Sequence, residues 1–378
     1  MSASSSDQPG DFAAQRVVSL DALRGFDMFW IIGGATIIEA LQKFGDATWL
    51  VALGEQMEHV QWEGFHFEDL IFPLFVFISG ASLVFALTRH IETHGRASAT
   101  RRLIVRAILL FLLGVLYSGG LARGWDQVRW MGVLQRIAIA YLGAGLLFVW
   151  CKPRTLVVAC LAILIGYWAL LTFVPVPGVG PGNFDEGQNL TNYLDRHYLP
   201  GRKYDGDHDP EGLLSNLPAI ATCLLGVFSG LWLRGTATAQ RKAAVLLGAG
   251  VLFLAAGWLW GGSFPVIKKL WTSSYVLVAG GWSAILLGTF HYLISWRGWR
   301  RGFIPFIWIG LNPITLYLLA NVIDFPKLAQ RLAGGDLKQF LNTRLHSGVG
   351  DMLLALVTCG LILLVAGFLY RRRIFLRV

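Results

Sequence analysis

Long apolar runs separated by short polar breaks dominate this chain. A hydrocarbon layer about 30 Å thick needs roughly 20 residues at a rise of about 1.5 Å each. Ten stretches reach that length: residues 22–42, 69–88, 103–122, 131–150, 155–174, 213–233, 242–261, 272–295, 303–323 and 351–370. The first is interrupted by Asp27 and the ninth by Asn312-Pro313. The pattern predicts an all-α, polytopic transmembrane bundle of about ten helices. Short breaks join most of the runs, so sequential helices are expected to pack antiparallel. The longest polar stretch, 175–212, leaves no room for a soluble domain, and residues 16–378 read as a single transmembrane domain. Gly226-x-x-x-Gly230 and Gly257-x-x-x-Gly261 offer places where two helices could approach closely.

Composition agrees with a bilayer protein. Only 15% of the 378 residues are charged, against roughly 25% in soluble domains, and mean hydropathy is +0.56. The net charge of +9 would suit nucleic acid, but the basic residues divide by side of the membrane. With odd-numbered connections taken as external, 19 of the 32 Lys and Arg fall inside and 12 outside, Arg136 lying within a helix. The positive-inside rule then puts both termini in the cytoplasm and the connection holding His59 outside. No nucleic-acid motif accompanies the charge. Residues 1–15 are Ser-rich and lack both a basic start and an apolar core. They are expected to be a disordered cytoplasmic tail rather than a signal peptide. Cys151, Cys160, Cys223 and Cys359 sit in or beside apolar runs with no C-x-x-C spacing, which suits small buried side chains rather than metal or disulfide chemistry.

The chemistry concentrates just before the second apolar run, in His59-Val-Gln-Trp62-Glu63-Gly64-Phe-His66-Phe-Glu68-Asp69. A neutral imidazole can act as a nucleophile or a general base, and a carboxylate from Glu58, Glu63 or Asp69 could fix its tautomer. His59 also suits a hydrated interfacial position, as do His66 and His208. Asp27 lies inside the first run, where an ionisable group is costly and implies either function or an ion pair with Arg24 or Arg136. Gln135 and Arg136 bring a buried amide and guanidinium to the fourth run. Arg136 could hold a phosphate or neutralise Asp27 or Asp69. Asn312-Pro313 marks either a cavity wall or a simple kink. Asp209-Pro-Glu211-Gly212 reads as a helix start, or as acids reaching an outer cavity. Phosphate-loop, dinucleotide and H-E-x-x-H spacings are absent, which argues against ATP hydrolysis and zinc hydrolysis; no metal is expected.

Several blocks resemble the heparan-α-glucosaminide N-acetyltransferase family and its bacterial relatives. They are Ser19-Leu-Asp-Ala-Leu-Arg-Gly25, His59-x-x-Trp62-x-Gly64 running into Asp69-Leu-Ile-Phe-Pro73-x-Phe75-x-Phe77, Gly132-Val-Leu-Gln-Arg136, Asp209-Pro-Glu-Gly212 and Gly310-x-Asn312. The second block is the most specific. The first also opens other multi-helix membrane acyltransferases. Where family members carry an amide in the first helix, this chain has Trp30-Ile-Ile-Gly33-Gly34.

The resemblance implies transfer of acetyl from cytoplasmic acetyl-CoA to an amino sugar or glycan amine on the external face of a bacterial inner (plasma) membrane. It maps the active-site histidine onto His59. On that reading Asp69 or Glu63 orients the imidazole, and Asn312 or Gln135 donates to the developing oxyanion. Arg24, Arg102 and Arg106 are expected to hold the cofactor phosphates, with Gln135 and Arg136 also on the cofactor side. Trp62, Asp27, Asp209 and Glu211 are expected on the acceptor side. Expected partners are the amino-sugar or glycan acceptor, membrane lipids and, as one option, a second copy in a homo-oligomer, but not nucleic acid. The competing class is a transporter or flippase for a sugar or lipid-linked glycan, with Asp27, Arg136 and Asn312-Pro313 lining its path.

Overall fold

The computed structural model describes residues 17–122 and 124–375, so the tail expected over 1–15 lies outside the described residues. Among the described residues the chain is helical, with isolated β-bridges only in loops. In chain order the helices are α1 Val18–Phe29, α2 Ala35–Gln42, α3 Thr48–Glu55, α4 Phe67–Tyr117, α5 Val133–Trp150, α6 Pro153–Phe173, α7 Leu190–Tyr198 and α8 Asn216–Arg234. They continue with α9 Ala239–Gly261, α10 Ser273–His291, α11 Ile304–Gly310, α12 Pro313–Ile323, α13 Phe325–Ala333, α14 Asp336–Arg344 and α15 Val349–Arg371.

Among the described residues seven helices are long and apolar enough to cross a membrane, and the bent pair, counted as one span, makes an eighth. All ten predicted runs fall on helix. Runs 69–88 and 103–122 share α4, whose 51 residues are broken at Gly95, with φ at 79°. Arg102 donates to His90 at 3.4 Å across that break. A straight helix would hold residues 12 apart about 18 Å from one another, so the two halves of α4 fold back as a hairpin. The first run is not broken at Asp27, which lies within α1, but at the π-helical turn Trp30–Gly34 that leads into α2. The ninth run bends by 73° between α11 and α12, where Pro313 starts a new helix without an N–H to continue the old one.

Backbone-to-backbone approach holds the bundle together. The long α4 packs against α5 and α8, α9 lies along α10, and α1 crosses α11. On α8 a Cβ at Gly226 would land on the Phe77 carbonyl oxygen of α4. One at Gly230 would lie 2.6 Å from the Ala81 oxygen. The Gly226-x-x-x-Gly230 spacing is thus a close helix contact, and Gly257 makes another with Val278 and Ser274 of α10. Gly25 and Gly310 do the same where α1 meets α11.

Four connections gather at one end of the bundle. Glu63 bridges to Ile267, the Gly64 N–H donates to the Val266 carbonyl at 2.9 Å, and Trp62 Nε1 donates to the Phe184 carbonyl at 3.0 Å. Arg129 bridges to Gly201. Four of the five odd-numbered connections grouped by the charge count are therefore joined into one polar cap.

Replacing Gly226 by Val forces a side chain into the Phe77 backbone, which cannot swing aside. Overpacking of this kind costs about 1–3 kcal/mol. The thermal midpoint of Gly226→Val in detergent is expected to fall clearly below that of Val227→Ala, measured in the same assay.

Candidate active site

His59 stands in the polar cap just ahead of α4, and Asp69 sits in the first turn of that helix. The exposed imidazole places Nδ1 3.1 Å from Asp69 Oδ1, and the carboxylate is buried at 1% exposure. The other oxygen, Oδ2, accepts the backbone N–H groups of Val60 at 3.2 Å and His66 at 3.1 Å. Asp69 therefore caps its own helix, where the positive end of the dipole favours an anion, and ties the His59 loop to it. Lys268, from the connection between α9 and α10, places Nζ 3.2 Å from Asp69 Oδ1 and 3.0 Å from His59 Nδ1. An ammonium can only donate, and the carboxylate can only accept. A proton on Nδ1 lets the imidazole donate to Asp69, whereas a bare Nδ1 accepts from the Lys268 ammonium. The Nδ1–H tautomer, paired with Asp69, leaves the Nε2 lone pair available for chemistry. Burial lowers the Lys268 pKa, with the charge of Asp69 opposing that effect.

Pro73 sits inside α4, where it has no N–H for the carbonyl of residue 69. Tyr275 of α10 supplies the missing donor, its hydroxyl reaching the Asp69 carbonyl at 2.8 Å. Tyr275 is itself buried against Trp271, with ring centroids 5.2 Å apart. The proline is tolerated because a neighbouring helix satisfies the group it frees.

His59 and Lys268 open on a cavity of about 360 Å³ that is also lined by Trp62, Glu68, Arg129, Arg136, Tyr204 and Glu211. Its far wall is apolar, with Met28, Phe72, Phe75 and Trp271. Arg129 grips Asp209 with a bidentate pair at 2.9 and 2.7 Å and Glu211 at 2.6 Å. Burial opposes the Arg129 charge, but the two carboxylates raise its pKa. Arg136 is buried over the Trp271 ring, 4.5 Å from its centroid, and donates to the Pro210 carbonyl at 2.7 Å and to Ser215. A neighbouring cluster, Glu186, Asp205 and His208, has metal-ligand spacing. Lys269 Nζ lies 2.9 Å from Glu186 and 3.0 Å from Asp205 and supplies the positive charge there.

A second, larger cavity of about 940 Å³ lies toward the other end of the bundle and is strongly basic. Arg24, Arg89, Arg101, Arg102 and Arg106 line it, with His90 and His94 beside them. Arg24 is anchored to Asp21 at 3.3 Å, the Gly310 carbonyl at 3.2 Å and Ser82 at 2.5 Å. Arg106 stacks on Tyr141 and keeps a buried Nε with no partner among the described residues. Phe75, Ile137 and Ile314 line both cavities and so form the wall between them.

The predicted residues separate accordingly. His59, Trp62 and Glu211 meet at the first cavity, with Asp69 behind His59 and Asp209 behind Arg129. Arg24, Arg102 and Arg106 meet at the second. Arg136 lines the first cavity and binds the 210–215 segment, not Asp27 or Asp69. Glu63 is exposed and engages through its backbone, so the carboxylate at the imidazole is that of Asp69. Asn312 is buried beside the second cavity and donates to the Ile374 carbonyl at 2.9 Å. Gln135 is buried against Gly114 and lines neither cavity, because its helical position turns it away from Arg136. Asp27 is fully buried, and neither of its oxygens has a partner among the described residues. Its expected partner Arg24 points the opposite way, toward Asp21 and Gly310. Sequence reasoning passed over Lys268, Tyr275, Arg129 and Glu68. A lysine pair between two apolar runs and an unpaired carbonyl ahead of Pro73 were the available signals for the first two.

The arrangement defines a helical membrane protein with a histidine–carboxylate pair over one cavity and an arginine-lined cavity behind it. In sequence the chain is similar to the heparan-alpha-glucosaminide N-acetyltransferases. The family model described as heparan-alpha-glucosaminide N-acetyltransferase, catalytic, matches residues 16–194. The mouse heparan-alpha-glucosaminide N-acetyltransferase is 28% identical, covering 85% of this chain and 56% of the mouse protein. The human protein of the same name is 27% identical, covering 96% of this chain and 60% of its own length. The chain thus spans well under two thirds of the length of these relatives. The matched stretch contains His59, Asp69 and the arginines of the second cavity, but not Lys268 or Tyr275.

Two measurements check this geometry. Tyr275→Phe leaves the Asp69 carbonyl without its donor, an unsatisfied buried acceptor worth about 1–3 kcal/mol; its thermal midpoint is expected to drop while the helical content by circular dichroism is retained. Asp195 of α7 is buried beside Gly212, and desolvation raises its pKa to about 6 despite N–H donors from Leu213 and Asp209. A raised carboxyl favours the folded state below its ordinary value, and that contribution is lost as pH rises through about 6. Between about pH 4 and about pH 7, Asp195→Asn is therefore expected to lose less thermal stability than the wild-type protein.

Proposed function

We propose that the chain transfers an acetyl group from acetyl-CoA, bound at the arginine-lined cavity, to the amine of an amino sugar or glycan bound at the His59 cavity. The observation that carries this reading is the placement of the two cavities back to back across a single wall of Phe75, Ile137 and Ile314. One offers guanidinium forks for phosphates, the other a histidine with a free ring nitrogen. Acetyl-CoA is a substrate, and its phosphates suit Arg24, Arg89, Arg101, Arg102 and Arg106. The excess of Lys and Arg in the even-numbered connections supports a cytoplasmic position for that end of the bundle and an external one for the His59 end.

His59 Nε2 either takes up the acyl group or removes a proton from the acceptor amine. Asp69 holds the ring in the tautomer that both roles require and stabilises the imidazolium if one forms. Lys268, 3.0 Å from the ring, supplies positive charge where the acyl carbonyl oxygen gains negative charge. Trp62 and Tyr204 present aromatic faces on which a sugar ring can stack. The transporter reading gives the His59–Asp69–Lys268 cluster no task.

The test is acetyl-CoA-dependent acetylation of glucosamine by the purified protein, followed as free CoA. His59→Ala is expected to fold, to keep its thermal stabilisation by acetyl-CoA and to lose turnover by about 10²–10⁴-fold. Arg102→Ala combined with Arg106→Ala is expected to raise the acetyl-CoA concentration needed for half-maximal rate. Wild-type turnover in His59→Ala overturns the assignment of that residue. Movement of the sugar across vesicles with no acetyl-CoA stabilisation overturns the enzyme reading in favour of a carrier.

A further inference from the structure

We propose that Glu68 receives the ammonium group of the acceptor in the His59 cavity and takes the first proton that this nitrogen must lose. The proposal rests on the acetyltransfer reading above and names a residue for its acceptor side.

Glu68 and Asp69 are consecutive in the first turn of α4, and about 100° of helical rotation separates them. Asp69 turns to the His59 loop. Glu68 turns to the cavity, which it lines with His59, Trp62 and Lys268. Its Oε2 is buried and has no hydrogen-bond partner among the described residues. The cations of the same cavity are differently placed. Lys268 is paired with Asp69, Lys269 with Glu186 and Asp205, and Arg129 with Asp209 and Glu211. Arg136 is held by a carbonyl and a hydroxyl. Among the described residues Glu68 enters no ion pair within 4 Å. A buried carboxylate oxygen without a donor is strongly unfavourable, and the ligand that relieves it carries N–H groups and a positive charge. Lys268 adds positive charge within Coulombic reach of Glu68, and the buried Asp27, with two oxygens unpartnered among the described residues, adds negative charge within the same reach. Trp62 on the opposite lining offers a ring face to the same ammonium or to the sugar that bears it.

The proton balance of direct transfer closes with these groups. The acceptor arrives as R–NH₃⁺ and gives one proton to the Glu68 carboxylate, which frees the nitrogen lone pair. The new N–C bond forms at the thioester carbonyl carbon as the C–S bond breaks, and that electron pair leaves on sulfur. The second amine proton passes to His59 Nε2 and from there to the thiolate, giving the free thiol. Glu68 then returns its proton to water. If the acyl group is first carried on His59, the Nε2–C bond forms as C–S breaks and the thiolate leaves; in the amine step Glu68 takes the same first proton, the C–Nε2 bond breaks with its electron pair left on Nε2, and the second amine proton passes to Nε2 and from there to the thiolate.

The test compares wild type, Glu68→Gln and Glu68→Asp in turnover of glucosamine and in binding of glucosamine against N-acetylglucosamine, which lacks the ammonium. Glu68→Gln is expected to keep its stabilisation by acetyl-CoA, to lose turnover by about 10²-fold and to bind the two sugars equally. Glu68→Asp keeps the charge with a shorter reach and is expected to fall between. Turnover and glucosamine preference in Glu68→Gln within about threefold of wild type overturn the proposal. Should wild type acetylate no amine, the acetyltransfer reading fails, and binding alone decides on Glu68. A glucosamine preference present in wild type and lost in Glu68→Gln supports it; a preference absent from wild type, or unchanged by the substitution, overturns it. If Glu68→Gln does not fold, Glu68→Asp must weaken glucosamine binding and leave N-acetylglucosamine unchanged; equal effects on both overturn the proposal.

Discussion

The Asp69 carboxylate is where the parts of this molecule meet. It caps α4 through the N–H of His66, pins the loop through the N–H of Val60, and receives the His59 ring and the Lys268 ammonium. Its own backbone carbonyl, orphaned by Pro73, is held by Tyr275. A helix start, a loop, two side chains and a neighbouring helix thus converge on one residue. Removing the carboxylate would do more than free an imidazole. It would uncap α4, release the loop and leave an ammonium without its counter-charge, which is why a charge can sit at 1% exposure here without being a liability.

The rest of the bundle keeps the two cavities apart yet adjacent. Glycines at Gly226, Gly230 and Gly257 bring helix backbones together, and the same close packing at Gly25 and Gly310 carries Arg24 to Ser82 and the Gly310 carbonyl. The fold-back of α4 at Gly95 serves both sites at once. Its first half starts beside His59, and its turn and second half bring His90, Arg101, Arg102 and Arg106 around the basic cavity. A single break in one long helix therefore sets the distance between the arginines and the histidine.

Helices were the most legible part of the sequence, because a 20-residue apolar run has few alternatives in a bilayer. Bends were less so. Asp27 interrupts the hydropathy of the first run yet stays helical, while the turn that breaks it lies at Trp30–Gly34. Within the site, His59 and Asp69 could be paired on paper because only ten positions separate them. Lys268 could not, since it arrives from 209 positions away through a loop that a β-bridge fastens to Glu63. The expectation that Arg24 or Arg136 would neutralise Asp27 assumed that buried opposite charges find each other. The structure instead uses Arg24 to brace α1 against α11 and Arg136 to brace the 210–215 segment, and Asp27 faces Glu68, a charge of its own sign.

Phe75, Ile137 and Ile314 were described as the wall shared by two cavities, and that wall has an electrical meaning. Polar space on both sides of it would shorten the insulating path through the protein to the thickness of a single layer of side chains. Apolar groups at that point offer no dipole to strip an ion of its water and no site from which a proton could hop. A membrane that stores energy as a gradient can therefore carry this protein without being discharged through it, as long as only an uncharged group ever passes between the three.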